Sequence, residues 1–249
     1  MPNININNLK VKYKIKRNVY VDAINDLNIT FKKNKFNVLI GYSGCGKSTL
    51  LKAIAGLIPY EGTIKYDNLD AATLPVYERE LSLVSQSFTL YPHLTIFDNI
   101  AYPLKLLNMP KEEIINKVNE IAKRFHIEHC LTRKPKQLSG GQQQRTCLAK
   151  ALIKNPSICL FDEPLANLDE KLKREIRLLI KKEFKSKNMT IVYVTHNLEE
   201  AMVLADYLYV MENGSIALYD TPLNIYNSSN ELILNLKKEE EMKNEFIRQ

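Results

Sequence analysis

The segment from Gly41 to Ser48 has the residue pattern G-x-x-x-x-G-K-S and directly follows the apolar run Phe36–Ile40. Glycines in such a loop let the backbone wrap closely enough for its N–H groups to face phosphate oxygens. The Lys47 ammonium suits the β- and γ-phosphates of a nucleotide, and the Ser48 hydroxyl suits Mg²⁺. The pattern therefore predicts a nucleotide site formed by Gly41, Ser43, Gly44, Cys45, Gly46, Lys47, Ser48 and Thr49.

One cysteine, Cys45, lies inside this loop. The positive end of the following helix is expected to favour its thiolate, so alkylation there is expected to block nucleotide binding. The other cysteines, Cys130, Cys147 and Cys159, lie far apart without C-x-x-C or Cys/His spacing. This spacing argues against a zinc site or a disulfide framework and favours free thiols.

Two acidic residues, Asp162 and Glu163, directly follow a second apolar segment, Ser157 to Phe161. In open α/β sheets, ligands bind at the carboxyl ends of the strands. Asp162 is therefore predicted to hold Mg²⁺ through water, and Glu163 to accept a proton from the attacking water or to polarise it. An isolated Asp-Glu-Pro more often forms a turn with a helix cap, but beside a phosphate loop the nucleotide role is favoured.

A second candidate anion site lies at Leu138-Ser139-Gly140-Gly141-Gln142. A serine and two glycines expose backbone N–H groups at the start of the helix predicted from about Gln142 to Lys154. A flexible link before a helix is the alternative explanation for this segment taken by itself.

In a chain that also carries the Gly41 loop and the strand ending in Asp162-Glu163, Leu138 to Gln142 resembles the signature of ABC ATPases. The resemblance runs from about Ile4 to Tyr226. It is closest to ATPases of binding-protein-dependent sugar importers, which Tyr91 to Ile100 and Tyr193 to His196 resemble. It implies an α/β P-loop NTPase core, a RecA-like mostly parallel sheet with flanking helices. An N-terminal antiparallel β subdomain and an inserted α-helical subdomain would complete the fold.

The resemblance also implies roles for single residues. Gln86 stands where the family has a glutamine that contacts Mg²⁺ and water, and His196 resembles the switch histidine that touches the γ-phosphate. Asp169 resembles a residue that crosses the dimer interface. Tyr13 is similar to the aromatic residue that stacks on adenine, with Tyr20 as the alternative. Ser139, Gly140, Gly141 and Gln142 would contact the ATP held by a second subunit.

The implied function is ATP binding and hydrolysis, with Mg²⁺, by a head-to-tail dimer that powers solute uptake. Its partners would be a second ATPase subunit, which is a copy or a paralogue, membrane permease subunits and, indirectly, a substrate-binding protein. The expected location is cytoplasmic, on the inner face of the cell membrane. The alternatives are a soluble ABC ATPase acting on ribosomes or DNA, an exporter subunit, and a P-loop kinase or GTPase. The last has no use for the signature segment.

The apolar residues after Gln86 have two candidate uses. Phe88, Leu90, Tyr91, Leu94 and Phe97 form either a surface for a helix of the permease or part of the core. The pattern of residue types leaves both open.

Strands and helices must position these residues. Alternation predicts strands at Leu27 to Phe31 and Gly62 to Asp67, and a hairpin that turns at Asn213-Gly214. Mostly apolar runs predict buried parallel strands at Phe36 to Ile40 and at Thr190 to Thr195. Helices are predicted over Thr49 to Leu57, after Pro110 with an apolar stripe, and in a segment with Leu172, Ile176, Leu179, Ile180 and Phe184 on one face. We expect an ATPase domain over 1–235 with a helical subdomain at about 95–155, and a charged tail over 236–249. The C-terminal regulatory domain of the sugar importers is expected to be absent.

Composition sets broad limits. The 249 residues are 45% hydrophobic and 25% charged, which suits a folded domain. No apolar run reaches the ~18–20 residues needed to cross a bilayer, and the Asn- and Lys-rich N-terminus lacks the apolar core of a secretion signal. The net charge of +7 comes without a run of five basic residues, so a Lys-rich solvated surface is favoured and no nucleic acid is expected.

Overall fold

A computed structural model of the chain describes residues 1–16, 19–86, 89–185 and 187–248. In chain order the strands are β1 (Ile4–Lys16), β2 (Val19–Phe31), β3 (Phe36–Ile40), β4 (Glu61–Tyr66), β5 (Leu69–Asp70), β6 (Leu81–Val84), β7 (Ile158–Asp162), β8 (Thr190–Thr195), β9 (Tyr207–Glu212) and β10 (Ser215–Asp220). The α-helices are α1 (Lys47–Ile54), α2 (Ile96–Lys105), α3 (Lys111–Arg124), α4 (Gly140–Leu152), α5 (Glu170–Lys185), α6 (Leu198–Leu204), α7 (Pro222–Tyr226) and α8 (Glu231–Arg248). These elements form two units, Met1–Glu80 with Asn188–Gln249, and Leu81–Lys187.

The first unit is built around β3, which pairs in parallel with β8 on one side and β9 on the other. Every residue of β3 and of β8 is buried. A parallel strand covered on both faces has no reason to alternate, which explains the nearly continuous apolar runs. Both predicted strands, Phe36–Ile40 and Thr190–Thr195, are confirmed at the same residues.

An antiparallel sheet with strand order β2-β1-β4-β5 belongs to the same unit. The strand predicted from Leu27 to Phe31 is the last part of β2, which begins at Val19. β1 pairs with β2 from Ile4↔Phe31 to Lys16↔Val19, and this ladder extends β2 beyond its alternating residues. Backbone pairing thus decides the length of the strand where the side-chain pattern fades.

The predicted hairpin is confirmed between β9 and β10. Asn213 has φ 45° and Gly214 φ 78°, as a two-residue turn between right-twisted strands requires. Further along the chain, α8 buries Leu232, Ile233 and Leu236.

The second unit combines the parallel pair β6 and β7 with four helices, α2 to α5. The predicted stripe of α3 is buried at Ile114, Val118, Ile121, Ala122 and Phe125. Two helices are displaced from their predicted bounds: α4 begins at Gly140, and α1 runs from Lys47 to Ile54. Gly56, with φ 72°, follows the early end of α1. Within the described ranges, no helix is both long and apolar enough to cross a membrane.

Candidate functional site

The phosphate loop leaves the carboxyl end of β3 in the first unit. Gly44 has φ 83° and Gly46 φ 107°, a region that favours glycine. A Cβ atom on Gly46 would lie 2.5 Å from the Ala23 carbonyl oxygen, so a side chain there would displace the backbone of β2. Both the conformation and the close contact therefore require glycine at position 46.

Lys47 is the charged centre of this loop and is only 4% exposed. Its Nζ donates to the carbonyl oxygens of Gly41 and Tyr42, each at 2.8 Å, and lies 3.8 Å from the Cys45 Sγ. Among the described residues no carboxylate forms an ion pair with Lys47, and the first turn of α1 contains no acidic residue. A phosphate group binds favourably to a buried ammonium and to the positive N-terminus of a helix. Because no described carboxylate occupies either position, the loop fits a nucleotide.

The expectation that the loop favours the thiolate of Cys45 is wrong, because the pKa of this thiol is raised. Burial raises the pKa of this thiol, and the nearby Lys47 only partly opposes that effect. Desolvation of the charged form therefore outweighs the attraction of the ammonium. The thiol still borders a cavity of about 580 Å³, whose lining includes Ser43, Gly44 and the hairpin residue Asn213.

The two aromatic candidates for adenine lie on the antiparallel sheet of the same unit. The Tyr13 hydroxyl is 3.4 Å from the Thr49 Oγ1, within hydrogen-bonding distance, and the side chain is 40% exposed. Tyr20 is 58% exposed and pairs across the sheet with Lys14. The hydrogen bond to the first turn of α1 makes Tyr13 the better candidate, because it links this ring to the phosphate loop.

His196 emerges at the same edge of the sheet as the loop. Ile40 and Thr195 are register partners at the ends of the parallel strands β3 and β8. Gly41 and His196 are the next residues of their chains, and His196 is exposed. The first unit thus brings together the phosphate loop, Tyr13 and His196.

In the second unit, two other candidates leave a shared sheet edge. Val84 of β6 and Phe161 of β7 are register partners, so Gln86 and Asp162 follow at the carboxyl ends of neighbouring parallel strands. Glu163 comes next and has φ 45°, which is uncommon for a residue with a side chain. Backbone in such a conformation costs free energy, so it persists only where the surrounding structure holds it. Residues of this kind cluster at functional sites.

The Ser139 segment lies at a helix start as its residue types predict, with Ser139 directly before α4, which begins two residues earlier than expected. The Ser139 Oγ accepts from the Gln142 N–H (3.3 Å), while the Gln142 Oε1 accepts from the Ser139 N–H (3.1 Å). Accepting this bond leaves the Ser139 hydroxyl hydrogen for donation to an anion. Gln142 thus holds the turn, whereas Ser139 and Gly140 are exposed and Gly141 is buried.

Asp169 lies beside this segment, at the start of α5. Its Oδ1 accepts from the Leu172 N–H at 3.0 Å, a helix-capping bond. A Cβ atom on Gly140 would lie 3.7 Å from Leu168, and one on Gly141 would lie 2.7 Å from Leu172. The second unit therefore brings the signature-like turn and the Leu168-Asp169 segment together.

Residue types alone did not single out the residues around the His196 turn. Thr195 and Glu200 are buried there and hydrogen-bond to each other. The available signal was the Asn197-to-Glu200 spacing, which is typical of a helix start. Phe88, one of the apolar residues expected after Gln86, lies outside the described residues.

Comparison with protein families identifies the class of P-loop protein that carries both the phosphate loop and the Ser139 segment. A family model described as ABC transporter matches residues 24–166, which is more than half of the chain. The chain belongs to the ABC transporter family. The kinase and GTPase alternatives are thereby excluded.

Solved structures support the same assignment. The ATP-binding cassette MJ0796, solved as a dimer in a post-hydrolysis state with ADP and Pi, has a TM-score of 0.80 and 32% sequence identity. The match covers 88% of this chain and 98% of that one. The predicted P-loop NTPase fold of an ABC cassette is confirmed.

Curated relatives within the ABC family include import proteins. The sn-glycerol-3-phosphate import ATP-binding protein UgpC of Psychromonas ingrahamii is 45% identical over 207 residues, 83% of this chain and 56% of that protein. The protein of the same name from Bartonella bacilliformis is 43% identical over 228 residues, 91% of this chain and 65% of that protein. The chain thus spans 56% and 65% of the lengths of these two ABC relatives.

Proposed function

We propose that this chain is the ATP-binding and ATP-hydrolysing subunit of an ABC importer. The observation that carries the proposal is the buried Lys47 ammonium, which donates to two carbonyl oxygens and lies in a glycine loop at the carboxyl end of β3. In an ABC family chain, the anion that fits this loop is the triphosphate of ATP.

The first unit supplies the nucleotide contacts. The backbone from Gly41 to Thr49 binds the phosphates, Lys47 neutralises the β- and γ-phosphates, and Tyr13 stacks on adenine. His196 contacts the γ-phosphate. Three residues would hold Mg²⁺: Ser48 through its hydroxyl, Gln86 through its side-chain amide oxygen, and Asp162 through water. The donor set of one hydroxyl, one amide and one carboxylate suits Mg²⁺, which binds oxygen and supplies charge neutralisation at the phosphates.

The second unit supplies the base and the contacts to another copy. Glu163 holds the attacking water and takes its proton. Ser139 donates its hydroxyl hydrogen to the γ-phosphate bound by the other copy, with the Gly140 and Gly141 N–H groups alongside. Asp169 lies at that interface. ATP thus joins two chains head to tail, and hydrolysis removes the joining group, so that the affinity of the two chains changes during the cycle.

Relatives named as import proteins support a role in uptake. We propose that the dimer binds permease subunits at the inner face of the cell membrane and, through them, serves a substrate-binding protein. Tyr91, which is 37% exposed, and the partly exposed Leu90 and Leu94 supply apolar surface for the permease. Residues 1–235 form the ATPase domain in this proposal, with a helical subdomain at about 95–155 and a tail over 236–249.

Two substitutions test the site by separating binding from turnover. E163Q should bind ATP normally, lower kcat by about a hundredfold or more because proton transfer is lost, and trap the ATP-bound dimer. K47A should instead weaken ATP binding by about tenfold to hundredfold because a charge-assisted contact is lost. Titration with a fluorescent ATP analogue, steady-state phosphate release and size-exclusion chromatography measure the three quantities.

E113Q is the matched control, because Glu113 is an exposed carboxylate on α3 that pairs with Lys117. It should leave binding and turnover unchanged. Undiminished hydrolysis by E163Q would contradict the role of Glu163. Co-purification of the chain with two hydrophobic membrane proteins tests the transport role, and co-purification with ribosomes or DNA would contradict it.

A further inference from the structure

A buried carboxylate lies next to the turn that carries His196. Glu200 is 4% exposed, and its Oε2 accepts hydrogen bonds from the Thr195 hydroxyl (2.9 Å) and the Tyr193 hydroxyl (3.1 Å). Burying a carboxylate is costly unless such donors satisfy it. Glu200 and the two hydroxyl groups of β8 therefore form one connected group.

The same group closes the turn on both sides of His196. The Thr195 Oγ1, which donates to Glu200, also accepts from the Asn197 N–H at 3.0 Å. The Asn197 Oδ1 in turn accepts from the Glu200 N–H at 2.7 Å. The Thr195 hydroxyl thus bonds across His196 to the backbone that follows it, while the His196 side chain is exposed.

We infer that Thr195 and Glu200 are positioning residues for His196. Glu200 fixes the Thr195 hydroxyl, and that hydroxyl holds the backbone of the turn, so the imidazole enters the site from one defined position. The inference rests on the proposed function, in which His196 contacts the γ-phosphate.

Register explains why this position matters. Thr195 is paired with Ile40, and the phosphate loop begins at the next residue, Gly41. A change in the turn therefore moves the imidazole relative to the loop that holds the phosphates. Displacements of about 1 Å can cost on the order of a hundredfold in rate, so this turn should affect kcat more than ATP affinity.

The test compares two substitutions at Thr195 in the purified chain. T195V keeps the shape of the side chain but removes the hydroxyl, whereas T195S keeps the hydroxyl. T195V should lower kcat by about tenfold to hundredfold, with the Kd for a fluorescent ATP analogue within about twofold of wild type. T195S should retain most of the wild-type kcat, because rescue needs only the hydrogen-bonding group.

T190V is the matched control at the other end of β8. The Thr190 hydroxyl donates to the Pro2 carbonyl (2.7 Å) and accepts from the Asn34 N–H (3.2 Å), away from His196. This variant should lose thermal stability but keep its kcat. E200M, which keeps a similar side-chain volume but removes the oxygen that accepts both hydroxyl hydrogens, is the second test variant and should lower kcat as T195V does, even if T195V melts below the assay temperature.

H196A separates failure of this inference from failure of the proposed function. Wild-type kcat in both T195V and E200M, together with an inactive H196A, overturns the inference and leaves the proposed function intact. Equal loss of kcat in T195V and T190V also overturns it, because that result indicates a general structural effect. Wild-type kcat in H196A, or hydrolysis that does not depend on Lys47, contradicts the proposed site itself.

Discussion

At the scale of single residues, charge and burial act against each other in the phosphate loop. Lys47 is buried, and its ammonium is stabilised by hydrogen bonds to two carbonyl oxygens. Cys45 lies 3.8 Å from the same ammonium, yet burial still raises the pKa of its thiol. Proximity to a cation therefore does not by itself make a reactive cysteine, because loss of hydration opposes it.

Alkylation of Cys45 should abolish ATP binding, because a bulky group would fill the loop. The reaction should be slow near neutral pH and speed up by about tenfold per pH unit towards the raised pKa, since the thiolate is the reactive form. N-ethylmaleimide treatment at several pH values, with mass spectrometry and ATP titration, measures both effects. Cys130, Cys147 and Cys159 are buried and should react later.

The C45S variant is the control for this reaction, since the reagent should cause no further loss of binding in it. Prior addition of ATP should protect Cys45 in the wild type. Full ATPase activity after stoichiometric labelling at Cys45 would refute the prediction.

At the scale of elements, β3 has a structural end and a functional end. Its carboxyl end leads into the phosphate loop, whereas the fully buried Asn37 lies near its start. The Asn37 Nδ2 donates to the carbonyl oxygens of Lys32, Lys35 and Ile191. Its Oδ1 accepts from the Lys32 N–H and the Tyr209 hydroxyl. One amide therefore satisfies the backbone of the turn that leads into the central strand.

N37A should destabilise the protein without weakening ATP binding. Removing the amide takes away buried hydrogen bonds to the Ile191 carbonyl and the Tyr209 hydroxyl and part-buried bonds to the backbone of Lys32 and Lys35. This loss costs about 2–4 kcal/mol and should lower Tm by roughly 5–10 °C. Differential scanning calorimetry measures the change. ATP affinity below Tm should stay within about twofold of wild type, because the loop leaves the opposite end of β3.

N28A is the control at an exposed asparagine of the antiparallel sheet. Asn28 bonds to Asp26 and Asn8 near the surface, where water replaces lost partners. Its Tm should fall by less than that of N37A. A normal Tm for N37A would show that the buried amide contributes little to stability.

At the scale of the whole molecule, a head-to-tail dimer predicts complementation between two inactive chains. K47A lacks a working phosphate loop but keeps its signature segment. G140D has the opposite defect, because a carboxylate beside Ser139 repels the γ-phosphate. A Cβ atom at position 140 comes no closer than 3.7 Å to its nearest neighbour, so the substitution fits the fold. An acidic residue also suits the first turn of a helix.

Mixing equal amounts of K47A and G140D should restore about a quarter of wild-type hydrolysis, because half of the dimers are mixed and each has one complete site. Phosphate release by the mixture and by each variant measures this. G140A is the control for added volume without charge and should remain active. An inactive mixture of folded, ATP-binding variants would contradict the head-to-tail arrangement.

The amino-acid sequence by itself determined the family-level features of this protein. Gly41 to Ser48, Leu138 to Gln142 and Asp162-Glu163 are local patterns, and residue type and spacing suffice to recognise them. Buried strands such as Phe36–Ile40 were predicted at their observed bounds, because continuous apolar residues are needed wherever a strand is covered on both faces.

The tertiary structure decided what depends on neighbours distant in sequence. The length of β2 came from its pairing with β1, and the contact between Tyr13 and the first turn of α1 came from a hydrogen bond to Thr49. The pKa direction of Cys45 came from burial, which no local pattern reports. The partners of Glu200, Thr195 and Tyr193, are only five and seven residues away, but their bonds depend on the direction in which α6 leaves β8. Hydrogen bonding and desolvation are set by three-dimensional surroundings, whereas glycine loops and apolar runs are set by the chain itself.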